Sequence, residues 1–133
     1  MKILQGVVRS GYGVAGQNLA HVLTTIEHRI GLAPLISGTF NLKLSEPYIV
    51  IPDAQIEAHE YNRKEFIKLQ RCVVDGVRAI IMRPNTHEDG YAHGPSHIEL
   101  LSTVVLRETL RVENGSVVDV EVEGDEDWWS RGM

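Results

Sequence analysis

Two apolar runs, 65–74 and 77–83, are separated only by Asp75-Gly76. Both turn residues tolerate positive φ, so a two-residue link between apolar runs predicts a β-hairpin. The other extended segments also gather around tight turns. Residues 2–9 read as a strand that ends at Ser10-Gly11-Tyr12-Gly13. Residues 39–44 alternate, with Phe40, Leu42 and Leu44 on one face and Thr39, Asn41 and Lys43 on the other. Short strands are predicted at 48–51, closed by Pro52-Asp53, and at 98–101. A last one, at 116–123, follows the turn Asn114-Gly115.

Helical spacing is confined to two places. From 17 to 30 the apolar residues Leu19, Val22, Leu23, Ile26 and Ile30 recur every three or four positions, with Gly31 and then Pro34 to stop the helix. Residues 103–112 are helix-like, with Leu106 and Leu110 on one side. The stretches 54–64 and 84–96 read as loops. Strands that cluster in hairpins do not follow a βαβ rhythm, so the expected fold class is mainly β: a small six-stranded barrel flanked by two α-helices. Residues 1–124 are expected to form one domain and 125–133 an acidic, frayed tail.

A chain of 133 residues buries enough surface to fold without covalent staples. Its single cysteine, Cys72, lies in an apolar run and reads as a small buried thiol. Acids and bases balance at twelve each up to residue 118; six acids against Arg131 in 119–133 account for the net charge of −5. A neutral body argues against nucleic-acid binding, which needs Lys and Arg to neutralise phosphates. Residues 1–8 hold no secretory core, and no apolar run reaches about eighteen residues, so no membrane association and a cytoplasmic location are expected.

Three segments could carry chemistry. In Ser10-Gly11-Tyr12-Gly13-Val14-Ala15-Gly16, glycines between a strand and a helix let backbone N–H groups approach an anion. The same glycines also serve as ordinary strand-to-helix punctuation. In Gly38-Thr39-Phe40-Asn41-Leu42-Lys43-Leu44, the polar face offers a hydroxyl, an amide and an ammonium about 6–7 Å apart. Thr39 and Asn41 are hard oxygen ligands suited to Mg²⁺, and a solvated strand face is the alternative. The third segment, 86–97, holds His87, His93 and His97 with no established zinc spacing, and reads as a loop of solvated histidines. Just beyond it, Glu99 sits at a strand start, where a general base or an exposed acid would fit equally.

Taken in order, these pieces resemble the archaeal CTP-dependent riboflavin kinase family. Gly6-Val7-Val8-Arg9-Ser10-Gly11-Tyr12-Gly13 is similar to its opening Gly-x-Val-x-Ser-Gly-x-Gly. Gly31-Leu32-Ala33-Pro34 and the segment 38–44 resemble its Gly-x-x-Pro and Gly-Thr-Leu-Asn-hydrophobic-x-Leu. His97-Ile98-Glu99-Leu100-Leu101, Leu106-Arg107-Glu108 and Asn114-Gly115 complete the likeness. The chain departs where Val14-Ala15-Gly16 replaces Glu-Gly, where Ser102-Thr103 replaces Ala-Pro, and where Ser116 replaces Asp.

The resemblance implies a cradle-loop barrel, CTP as phosphoryl donor, riboflavin as acceptor and Mg²⁺ as cofactor. Ser10, Gly11, Tyr12 and Gly13 would form the nucleotide loop, Thr39 and Asn41 would hold the metal, and Glu99 would accept the flavin hydroxyl proton. Because the departures begin in the Gly-rich segment, the alternative is a non-catalytic nucleotide- or flavin-binding module on the same barrel. The oligomeric state is left open.

Overall fold

The computed structural model describes residues 1–10, 20–88 and 94–129. The expected hairpin is its longest ladder. Strand β4 (Ile67–Val74) pairs antiparallel with β5 (Val77–Pro84) along their whole lengths. Asp75 and Gly76 take φ of 45° and 86° at the turn, the conformation that an Asp-Gly link favours.

Around this hairpin lie β1 (Lys2–Arg9), β2 (Phe40–Leu44), β6 (His97–Leu101) and β7 (Val117–Val122). The order β4-β5-β6-β2-β1-β7 closes on itself where Val73 and Val74 of β4 meet Glu121 and Val120 of β7. The result is the expected mainly β class with a closed six-stranded antiparallel barrel. A seventh strand, β3 (Ala54–Ile56), lies outside the ring and pairs with the first half of β4.

Period-two alternation splits the apolar side chains into two cores. Val8, Leu42, Cys72, Ile81, Ile98 and Val120 belong to the cluster that fills the barrel. Burial pushes the Cys72 thiol far up, as an inert packing residue requires. Gly6 lies where β1 crosses β2: a β-carbon there would sit 3.1 Å from Leu42 Cβ, so the close strand approach depends on its absence.

The second core lies outside the barrel. Helix α1 (Leu23–Ile30) buries Ile26 and Ile30 against Ile67, Leu69, Ile80 and Leu101. This is why the β4 and β5 runs are apolar on both faces. An eight-residue helix is marginal alone, so this packing, about 1.5–3 kcal/mol per buried aliphatic side chain, is what holds it. Gly31, at φ 82°, ends it as expected.

Several local expectations are corrected. Residues 48–51 alternate like a strand, but Val50 N–H donates to the Glu88 carboxylate and not to a ladder. The polar stretch 54–64 is no plain loop: it supplies β3 and a 3₁₀ turn, Ala58–Glu60. Residues 85–88 form a single turn, α2 (Asn85–Glu88), and the helix expected over 103–112 shortens to one turn, α3 (Leu106–Thr109). A last turn, α4 (Glu126–Trp129), sets Trp129 beside the Arg71 and Arg78 guanidinium groups, 5.6 and 5.9 Å from the ring. Among the described residues no helix is long and apolar enough to cross a membrane.

Candidate active site

Strand β2 runs between β1 and β6, with Asn41 opposite Arg9 on one side and Glu99 on the other. Because Phe40 and Leu42 fill the barrel, Thr39, Asn41 and Lys43 leave β2 on the outer face, as Glu99 and His97 leave β6. The structure therefore brings Thr39, Asn41 and Glu99 together. The Thr39 hydroxyl donates to Glu99 Oε1 at 3.3 Å, and Asn41 Nδ2 lies 3.3 Å from both Thr39 O and Thr39 Oγ1.

This face is not the solvated strand face that alternation alone allows. Asn41 is 3% exposed and Glu99 7% exposed, whereas Lys43 is open to solvent. The Asn41 amide is oriented by Thr39 O, which can only accept, so Nδ2 must face it. Its carbonyl Oδ1 is then buried with no hydrogen-bond partner among the described residues. An unsatisfied buried oxygen costs about 1–3 kcal/mol, which leaves it ready to ligate. Burial pushes the Glu99 carboxyl above its ordinary value, and the Thr39 hydrogen bond opposes this in part.

A groove of about 180 Å³ begins at Thr39 and runs between Gly38 and the segment 102–107. Ile36, Phe40, Leu100, Val104, Val105 and Leu106 give it apolar walls, and Arg107 is the only charged residue lining it among the described residues. Ser10 lies one residue beyond Arg9, the ladder partner of Asn41. Its Oγ accepts from Asn114 Nδ2 at 2.9 Å. The other expected nucleotide-binding residues, Gly11, Tyr12 and Gly13, lie outside the described residues.

The histidine segment differs from expectation. His87 and His97 are both buried, with ring centroids 6.3 Å apart, while His93 falls outside the described residues. Among the described residues no three His, Cys, Asp or Glu side chains group as a metal site. Two features went unseen in the sequence. Arg107 and Asn114 meet the end of β1 across about a hundred residues of chain. Arg83 is fully buried in an ion cluster with Glu88 and Lys68.

Comparison with known proteins matches the same span. The family model for the CTP-dependent riboflavin kinase domain, described as the domain of unknown function DUF120, covers residues 8–122. A riboflavin kinase of Pyrobaculum arsenaticum is 33% identical over 90% of this chain and 60% of its own length. One from Methanocella arvoryzae is 30% identical over 91% of this chain and 57% of its own, and one from Pyrobaculum aerophilum is 30% identical over 73% and 48%. The chain thus spans about half to three-fifths of the curated relatives it matches. Since the family match runs from the end of β1 to the end of β7 and takes in the Thr39–Asn41–Glu99 cluster, the chain belongs to the CTP-dependent riboflavin kinase domain family.

Proposed function

We propose that this domain transfers the γ-phosphoryl group of CTP to the 5′-hydroxyl of riboflavin, giving FMN, with Mg²⁺ as its metal. The observation that carries the reading is the Thr39–Asn41–Glu99 cluster, in which Asn41 and Glu99 are buried and Asn41 Oδ1 has no partner among the described residues. A hydroxyl and an amide carbonyl are a hard-oxygen set of the kind Mg²⁺ uses when waters and phosphates complete its shell. The Thr39 hydroxyl donates to Glu99 and accepts from Asn41 Nδ2, which leaves one oxygen lone pair for a cation. The family name supplies CTP, and the names of the relatives supply riboflavin.

In this reading Thr39 and Asn41 hold the metal, which neutralises charge on the phosphates when bound. Ser10, with Gly11, Tyr12 and Gly13, binds the nucleotide phosphates. The apolar groove beside Thr39 receives the acceptor ring system. The flavin 5′-oxygen forms a bond to the γ-phosphorus, the bond from that phosphorus to the CDP oxygen breaks, and Glu99 takes the hydroxyl proton. Phosphoryl transfer depends mostly on positioning and charge stabilisation, so this small set suffices. The same reading puts the domain in the cytoplasm, with its nucleotide.

Incubation with riboflavin, Mg²⁺ and each nucleoside triphosphate in turn tests the proposal. FMN formation is expected with CTP. No FMN with any donor overturns it, and flavin or nucleotide binding without turnover would instead identify the non-catalytic module.

Glu99 has a separate signature. A buried carboxyl with a raised value binds its proton in the folded state at a pH where the unfolded chain has released it. Its contribution to stability is therefore full below the usual carboxylate value of about 4.3 and is lost as pH rises through the raised folded value. Glu99→Gln is expected to lower kcat by about 10²–10⁴-fold while raising Tm relative to the parent at pH 8 more than at pH 4. Paired turnover assays and melts check both; an active variant refutes the base assignment.

A further inference from the structure

Arg9 ends β1, and its ladder partner is Asn41. Val8 turns into the barrel, so Arg9 leaves on the outer face, as Asn41 and Glu99 do. The three residues form one row across β1, β2 and β6. Residues directly opposite on one face have β-carbons about 4.5–5.5 Å apart, so a long side chain at position 9 reaches a group held by Asn41. The backbone before it is fixed: Val8 N–H donates to Ser116 O at 2.8 Å, and Gly115 N–H to Val8 O at 2.9 Å.

The side chain itself is uncommitted. Arg9 is exposed, and although its backbone carbonyl accepts from Arg107, its guanidinium makes no hydrogen bond or ion pair among the described residues. Glu99 stands two strand spacings away, about 9–10 Å, with Asn41 between them. On its β7 side Arg9 lines an open hollow of about 430 Å³ with Ser10, Asn114 and Gly115. The row therefore carries a cation beside open space, with no counter-charge from the described residues.

We propose that the Arg9 guanidinium binds the γ-phosphoryl group of the donor and so tells the triphosphate from the diphosphate product. The inference rests on the kinase reading and deepens it. In that reading the metal is held at Asn41 and Glu99 takes the acceptor proton, so the group in transfer lies over the Arg9–Asn41–Glu99 row. A guanidinium fork matches two oxygens of such a group. Lys43 is the other exposed cation beside Asn41, but it lies two residues along β2, on the side away from Ser10.

The test is calorimetric titration of CTP and of CDP, both at saturating Mg²⁺, into the intact chain, Arg9→Met and Lys43→Met. Arg9→Met is expected to lose about 10–100-fold in CTP affinity, the loss of a charge-assisted pair, with CDP affinity within about threefold of the parent. Arg9→Lys is expected to recover part of the CTP affinity, because charge returns without the fork. Lys43→Met is expected to weaken both nucleotides alike, and by less. Unchanged CTP affinity in Arg9→Met, equal losses for CTP and CDP, or the same selective loss in Lys43→Met overturns the assignment. If the parent chain binds CTP but forms no FMN from it, the kinase reading fails while the Arg9 comparison still decides. If it binds neither nucleotide, both fail.

Discussion

Asn41→Leu is expected to lower turnover by about 100-fold or more and to leave the domain as stable as the parent or more so. The two effects have one cause. Asn41 is 3% exposed between Arg9 and Glu99 on the ladder, with its Oδ1 unpartnered among the described residues. Its Nδ2 contacts to Thr39 are long, at 3.3 Å. A position that served only packing would gain from leucine, which is close in shape and carries no polar atom to desolvate. The amide therefore costs stability where it stands, as functional groups commonly do. Asn41→Asp separates ligation from shape: it keeps an oxygen ligand and should retain more activity than leucine at saturating Mg²⁺. Steady-state turnover at several Mg²⁺ concentrations, with thermal melts of all three proteins, measures this. A leucine variant that is fully active removes Asn41 from the metal site. One that is inactive because it is unfolded shows the amide to be structural.

Much of this site was legible because strands alternate. The 39–44 segment places Thr39 and Asn41 on one face, and the 98–101 segment puts Glu99 at a strand start; that the two strands are neighbours is shown only by the fold. What alternation could not give was burial, since the covering of that face depends on segments remote in sequence. Arg107, legible in the sequence only as part of Leu106-Arg107-Glu108, could not be given its contacts for a related reason. It looks like an ordinary surface residue of a short helix until the chain brings Arg9 within hydrogen-bond reach. The fold divides in the same way. The Asp75-Gly76 hairpin and the Gly31 stop are local chemistry and were read correctly. Strand β3 was not, because Gln55 and Ala54 have no apolar pattern and extend only by pairing with Lys68 and Leu69 of β4. Residues 48–51 failed in the opposite sense. Tyr48 and Val50 are buried while Ile49 and Ile51 are exposed, yet the backbone bonds of the segment go to Pro95 and Glu88.

That Glu88 contact leads to the largest expected loss of stability. Arg83 projects from β5 and is 0% exposed. Its Nη1 donates to Tyr48 O at 2.8 Å and to Glu88 Oε2 at 3.1 Å, and its Nη2 to Pro95 O at 3.3 Å. Glu88 also pairs with Lys68 and accepts from Val50 N–H. Burial lowers the Arg83 value and the Glu88 charge acts against this, so the carboxylate offsets the cost of burying a guanidinium that stays charged. Glu88→Ala removes it and strands two cations, at a cost of about 3–5 kcal/mol. Against a usual total of about 5–15 kcal/mol, that is a large share. Urea unfolding at pH 7 should show the midpoint drop with little change in slope. The double variant Arg83→Met with Glu88→Leu should unfold at higher urea than Glu88→Ala alone, because the fully buried cation is gone and only the partly exposed Lys68 is left without its partner. If the double variant is the weaker of the two, the cluster stabilises the fold by its own attraction and not by mutual neutralisation. The cluster also bears on the site. It holds residues 48–50 and Pro95 together, and Ser96 O accepts from Leu44 N at the far end of β2. Loss of Glu88 should therefore loosen the pairing that sets Asn41 opposite Glu99, and turnover should fall at temperatures below the melt.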